Sequence, residues 1–230
     1  GGSAPLTEEV RRRFEELFEC RVYDGYGQSE ATCAVCAYEP DETFVRGSAG
    51  RPLAGFEVCV QNDDNRIIPV GHTGELCFRG SSVMLGYWND AEATRRAIID
   101  GWLHSGDIGH IDQRGYMYIT DRKKDMMIKG GENISPREIE EIICQLSGVA
   151  EVAVVGVPDP TFQEDIAAFI VLKAAAQLTV EQVLEFTATQ INKFKLPKYV
   201  YFVAQLPKNS NGKILKRELR DEWSRSQSQI

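Results

Sequence analysis

Apolar residues recur along this chain with two different periods, and the change of period divides it. From Gly50 to Gly80 the alternation is that of strands, with Phe56, Val58 and Val60 set against Glu57, Cys59 and Gln61. Asp63-Asp64-Asn65 marks a turn, and Gly74-Glu75-Leu76-Cys77-Phe78-Arg79-Gly80 reads as the next strand. A short helix is predicted over Asp90 to Ile99. Strand character resumes over Gly101 to Asp107 and over Gly115 to Thr120. These runs predict a small twisted barrel or sheet spanning residues 45–120. Upstream, Val10, Phe14, Leu17 and Phe18 fall on one helical face, with Thr7 as N-cap and Glu8 and Glu9 in the first turn. Arg21 to Asp24 reads as a short strand ending in the turn Gly25-Tyr26-Gly27-Gln28-Ser29-Glu30.

Beyond residue 121 the period lengthens. Ser135 suits an N-cap, Pro136 the first helical position, and Glu138 completes the spacing of a capping box. Ile139, Ile142, Ile143 and Leu146 then mark one helix face. Val149 to Val157 and Ile166 to Leu172 are apolar strands. Thr179 caps a helix carrying Val183, Leu184, Phe186 and Ile191, and Tyr199 to Ala204 is a further strand. A last helix is expected from Ile214, fraying into Ser224 to Ile230. Alternating strands and helices make this an α+β unit of about 105 residues. The fold class is therefore α+β, with domains 1–121 and 122–230. The charged joint Asp121-Arg122-Lys123-Lys124 lies between the two units, and its adjacent cations Lys123 and Lys124 favour solvent.

Composition narrows the function classes. The 230 residues are 43% hydrophobic and 26% charged, which suits one large or two small globular units. A net charge of −8 argues against a nucleic-acid partner. No apolar run reaches the length of a transmembrane segment. No signal peptide is evident and the chain begins with Gly1, so an upstream portion of the same protein is expected. Six cysteines are scattered, and Cys33 and Cys36 form a CxxC. A structural zinc site needs four ligands. No second CxxC supplies them, and His72, His104 and His110 are dispersed. Reduced, partly buried thiols and a cytoplasmic setting are expected.

Polar clusters carry the candidate chemistry, each with a plainer alternative. Ser29 and Glu30 either hold a phosphate and a divalent cation or simply open a helix. Asp107, at a strand end, either accepts ribose hydroxyls or shapes a turn. Arg122 either reaches the same sugar or a phosphate, or forms a surface salt bridge. Gly130-Gly131 lets a ligand approach the backbone or makes a sharp turn. Asn209-Ser210-Asn211-Gly212-Lys213 presents a lysine on a glycine loop, a mobile point charge for an anion or a surface loop. It lacks the Walker spacing.

Taken in order, these segments resemble the adenylate-forming enzymes: acyl- and aryl-CoA synthetases, adenylation domains of nonribosomal synthetases, and firefly luciferase. Gly2-Ser3-Ala4-Pro5-Leu6 is similar to the family's adenine loop, and Tyr26-Gly27-Gln28-Ser29-Glu30 to its YGxTE motif with Ser in the Thr position. Gly74 to Gly80 is similar to GELxxRG, and Trp102 to Asp107 to W-x-x-[ST]-G-D. Asp121 to Lys124 resembles the hinge, and Lys129-Gly130-Gly131-Glu132-Asn133-Ile134 the loop after it. Leu196-Pro197-Lys198-Tyr199 and Gly212-Lys213 resemble the last two motifs, with Asn209 where the family often has Thr. The two-glycine loop and the apolar second unit lean toward acyl-CoA synthetases.

The resemblance implies the end of a large adenylate-forming domain followed by the small C-terminal domain. It implies ATP/AMP, Mg²⁺ and coenzyme A as cofactors and a small-molecule carboxylic acid as partner. By the same resemblance, Gly2, Ser3, Ala4, Asp24, Gly25, Tyr26, Ser29, Asp107 and Arg122 bind nucleotide, and Glu30 holds the metal. Lys213 acts in adenylation, Lys129 faces the adenylate in the second half-reaction, Gly131 borders the thiol's approach, and Lys124 is the hinge. The family's phosphate loop and most of its acyl pocket are expected upstream of Gly1, so these residues alone are expected to be inactive. Two other functions stay open: a module that loads a carrier protein, and a non-catalytic interaction piece.

Overall fold

A computed structural model describes residues 8–39, 42–210 and 212–227. The chain separates into two compact units, Gly1–Lys123 and Lys124–Ile230.

In the first unit, helix α1 (Glu8–Phe18) precedes a pair of two-residue strands, β1 (Cys36–Ala37) and β2 (Arg51–Pro52). Among its described side chains, Phe14, Leu17 and Phe18 are exposed. Thr7, expected to cap it, lies outside the described residues. The strand expected over Arg21 to Asp24 is not there. Its groups find other partners: Val22 N–H donates to the Glu15 carboxylate and the Tyr23 hydroxyl to Glu42 O. Pairing begins only at Tyr26, bridged to Cys36.

The expected sheet forms from β3 (Phe56–Gln61), β4 (Gly74–Gly80), β5 (Ile98–Ile99), β6 (Trp102–Ile111) and β7 (Met117–Arg122). The order is β3-β4-β6, with β5 and β7 both pairing β6, all antiparallel. Val60, Leu76, Phe78, Leu103 and Met117 build the core on one face. The short helix is α2 (Ala91–Ala97), capped by the Asp90 side chain, which accepts from Ala93 N–H.

The second unit opens with a hairpin, β8 (Met127–Lys129) and β9 (Glu132–Ile134), then α3 (Pro136–Ile143). Ser135 caps α3 by accepting from Glu138 N–H, with Pro136 in the first turn. Long strands β10 (Val149–Asp159) and β11 (Gln163–Leu172) pair antiparallel along their length. α4 (Val180–Ala188) carries a full capping box between Thr179 and Gln182. β12 (Tyr199–Phe202) then runs parallel to β11, and α5 (Lys216–Gln227) closes the unit. The last helix continues through Ser224 to Gln227, where the Ser224 and Ser226 hydroxyls donate back to Arg220 O and Trp223 O; the rest of the expected fraying, residues 228–230, lies outside the described residues.

The apolar runs of β10 and β11 follow from burial on both faces. Val152, Val154, Ile166 and Ile170 pack with Ile139, Ile143 and Val183 of α3 and α4. Ala153, Val155, Val157 and Phe169 pack with Leu219 and Trp223 of α5. Among the described residues, no helix is long and apolar enough to cross a membrane.

Candidate functional site

In the first unit, chain-distant residues converge on Asp107. The Tyr26 hydroxyl donates to Asp107 Oδ2 at 2.5 Å, and Arg122 Nε lies 3.1 Å from Asp107 Oδ1. The β6–β7 register sets Arg122 directly opposite Asp107. Tyr26 is placed by backbone bonds to Cys36 and Val35. The next residue must be glycine, because a Cβ at Gly27 would sit 1.6 Å from Cys33 O. Asp107 is almost fully buried, so its charge needs these partners. Burial, then the Asp107 charge, raises the Tyr26 pKa, so the hydroxyl stays protonated as a donor. Asp24 and Gly25 are partly buried just upstream.

Ser29 and Glu30 open a short 3₁₀ turn, and Ser29 is exposed. Glu30 O accepts from Met84 N–H at 2.7 Å, and its carboxylate accepts from the Tyr87 hydroxyl at 2.9 Å. Among the described residues, no group of three or more His, Cys, Asp or Glu gathers that could hold a metal. A lone carboxylate fits a magnesium ion that arrives on nucleotide phosphates, which supply its other oxygen ligands. Cys36 is buried and its thiol donates to Ala49 O, while Cys33 is exposed.

In the second unit, Gly130 and Gly131 form the turn between β8 and β9, closed by the pair Lys129 and Glu132. Both have positive φ, +56° and +86°, as a two-residue hairpin turn of type I′ requires. A Cβ on Gly130 would meet the Phe194 and Phe162 rings at 3.2 and 3.3 Å, whereas nothing lies within 4 Å of one on Gly131. The turn is anchored from below, Gly130 N–H donating to Phe162 O.

Lys129, expected to face the adenylate, is buried and paired. Its ammonium lies 2.7 Å from Asp165 Oδ1 and sits over the Phe162 and Phe194 rings. Lys198, from the Leu196-Pro197-Lys198-Tyr199 motif, pairs with Asp159 at 2.7 Å and lies 3.8 Å from Asp165. Asp159 also accepts the Thr161 and Phe162 N–H groups. The Lys198 bond, then those amides, lowers its pKa to about 2.

Lys213 is exposed, and its backbone is bonded to Asn209 across the loop. Asn209 accepts Lys213 N–H on its side chain and Gly212 N–H on its carbonyl, and its own N–H donates to Lys213 O. Lys124, expected to be the hinge, is exposed in a 3₁₀ turn at the boundary between the units. Gly2, Ser3, Ala4 and Asn211 lie outside the described residues. Sequence reasoning missed Glu75, Asp159 and Asp165, buried carboxylates at the foot of these loops. A Glu inside a strand run, an Asp at the end of β10 and an Asp near the start of β11 were the available signals.

The model of the AMP-binding enzyme family matches residues 1–88, and that of the AMP-binding enzyme C-terminal domain matches residues 138–213. The long-chain-fatty-acid–CoA ligase of Escherichia coli O6:H1 is 42% identical over 222 residues, covering 96% of this chain and 39% of that protein. The 2-succinylbenzoate–CoA ligase of Bacillus cytotoxicus is 40% identical over 200 residues, or 86% of this chain and 41% of that one. Among solved structures, ATP-bound MatB from Rhodopseudomonas palustris matches with a TM-score of 0.91 at 37% identity, over 96% of this chain and 44% of that one. The o-succinylbenzoate CoA synthetase MenE of Bacillus subtilis, with its acyl-adenylate intermediate OSB-AMP, matches at 0.85 and 29% identity, over 96% and 45%. The chain thus spans 39–45% of the length of these relatives.

Proposed function

This chain belongs to the adenylate-forming, AMP-binding enzymes, and from that premise we propose that it serves an ATP-dependent acyl-CoA ligase. A carboxylate attacks the α-phosphate of ATP, giving acyl-adenylate and releasing pyrophosphate. The thiol of coenzyme A then attacks the acyl carbon, giving acyl-CoA and releasing AMP. Little covalent chemistry falls to the protein; its share is positioning and charge stabilisation.

The observation that carries this reading is the convergence of Tyr26, Arg122 and Asp107. A carboxylate has about four acceptor sites, and fixing it from two sides aims it at a ligand's hydroxyls. In the proposed roles, Asp107 and Arg122 take the ribose, and Tyr26 stacks on adenine with Asp24 and Gly25 at its amino group. Ser29 contacts phosphate, and Glu30 holds magnesium together with the phosphates. Lys213 supplies positive charge where the carboxylate meets the α-phosphate. Gly131, with open space where a Cβ would stand, borders the thiol's path. Lys124 is the hinge between the half-reactions. Lys129 faces the adenylate in the second half-reaction, with Asp165 as its carboxylate partner at the foot of the Gly130-Gly131 turn. The cytoplasmic setting expected from the free cysteines belongs to the same proposal.

The CoA-ligase names of the relatives favour coenzyme A over a carrier protein as acceptor. The test is product formation. These 230 residues with an upstream portion are incubated with ATP, magnesium, coenzyme A and a panel of carboxylic acids. AMP, pyrophosphate and acyl-CoA should form in equal amounts. The 230 residues alone should release no pyrophosphate above background. Pyrophosphate release without acyl-CoA, or transfer only to a carrier protein, would contradict the ligase reading.

A further inference from the structure

We infer that Glu75 is a positioning residue for the nucleotide site, setting the geometry of the Asp107–Arg122 pair from behind. The inference rests on the proposed role of that pair in binding the ribose. Its starting point is a break in the β4–β6 ladder. Glu75 faces Ile108 and Cys77 faces His104, so two residue steps on β4 span four on β6. The extra residues of β6 form a bulge at Ser105-Gly106-Asp107. Bulges re-aim side chains and leave ladder groups without their regular partners. Here the Glu75 carboxylate takes the place of the lost ladder acceptor: Gly106 N–H donates to Oε1 at 3.0 Å. Ser105 secures the other side, its hydroxyl donating to Leu76 O and accepting from Asp107 N–H.

The second oxygen of Glu75 reaches the other half of the pair. Lys123 Nζ donates to Oε2 at 3.1 Å, and His104 Nδ1 lies 3.2 Å from the same oxygen. Lys123 follows Arg122 directly, as Asp107 follows Gly106. Glu75 therefore grips the chain neighbour of each member of the ion pair, and the contacts close a ring through Gly106, Asp107, Arg122 and Lys123. Glu75 is almost fully buried, which makes its charge dependent on these donors. Burial acts to raise its pKa, but His104, Lys123 and Gly106 outweigh that and hold it below the ordinary carboxylate range. Lys123 has a second partner, Asp63 at 3.1 Å, at the exposed end of this layer.

A neutral amide could still accept from Gly106 but could not hold Lys123 by charge, so Glu75→Gln separates the two functions. The experiment uses the longer, upstream-extended chain and measures AMP binding directly, together with KM and kcat for adenylation. Glu75→Gln should raise the AMP Kd and the ATP KM about tenfold, the loss expected for a hydrogen bond to a charged group. The KM for the acid and kcat should stay within about twofold, a split that follows from acting on the nucleotide alone. Lys123→Met should act in the same direction, and the double variant should be no worse than Glu75→Gln. If Glu75→Gln fails to fold, Lys123→Met alone carries the test, because its side chain is partly solvent-exposed. Unchanged nucleotide binding in a folded variant, or equal loss of every parameter, overturns the inference. Failure of the parent chain to bind AMP would instead overturn the proposed function.

Discussion

Lys129 Nζ lies 2.7 Å from Asp165 Oδ1, and both side chains are at least nine-tenths buried. Removing one member of such a pair strands a charge in the interior, at a cost of about 3–5 kcal/mol. Asp165→Leu should destabilise the second unit by that order, and Lys129→Met by less, because Lys198 still lies 3.8 Å from Asp165. The double variant should recover much of the loss, because no charge is then left unpaired. Urea unfolding of the singles and the double reads the coupling directly. Simple additivity would mean that the pair does not anchor the turn above it.

Tyr26→Phe keeps the ring and removes the donor to Asp107. The buried carboxylate then lacks one partner, and stability at neutral pH should fall by about 1.5–3 kcal/mol. The substitution should also flatten the alkaline limb. Tyr26 has a folded pKa raised above its ordinary 10.0. Above that ordinary value the unfolded chain loses a proton that the folded chain keeps, so this contribution is full below about pH 10 and declines as pH rises. Unfolding curves at pH 7 and pH 11 for both proteins check it. Parallel losses on going alkaline would show that the Tyr26 proton is not held by the fold.

Asp159 makes the opposite prediction at the acid end. Its folded pKa is lowered to about 2 from 3.8, chiefly by Lys198. Its contribution is therefore present above about pH 3.8 and lost as the pH falls toward 2. A carboxyl carbon NMR titration should find Asp159 titrating well below its ordinary value and moving up in Lys198→Met. An ordinary midpoint in the parent protein, or no movement in the variant, would remove Lys198 as the cause.

Local signals in the sequence were the reliable ones. Ser135 and Pro136 start a helix, and Ile139, Ile142 and Ile143 face its core. The apolar runs of β10 and β11 are strands because helices cover both faces. What was not legible depended on pairing between distant segments. Nothing near Tyr199 says that β12 lies parallel to β11, with Ala167 opposite Tyr199. Arg21 to Asp24 has strand-like residues but, among the described residues, no strand pairs with it. Nothing beside Lys129 in the sequence points to Asp165, which the pairing of β11 with β8 brings to it. The bulge that turns Asp107 toward Tyr26 and Arg122 exists only in the register of β4 with β6, which also conceals Glu75.

The most direct measurement separates the two half-reactions in the upstream-extended chain. Lys213 is exposed on a turn held by Asn209, and Gly131 has open space around it. Lys213→Ala should slow adenylation by about 10²–10³, the cost of one charge-stabilising donor. It should leave the reaction of supplied acyl-adenylate with coenzyme A nearly unchanged. Replacing Gly131 by leucine should do the reverse, blocking the thiol while sparing adenylation. Equal losses in both half-reactions for both variants would contradict a division of labour between the two loops, and with it the two-step ligase reading of this chain.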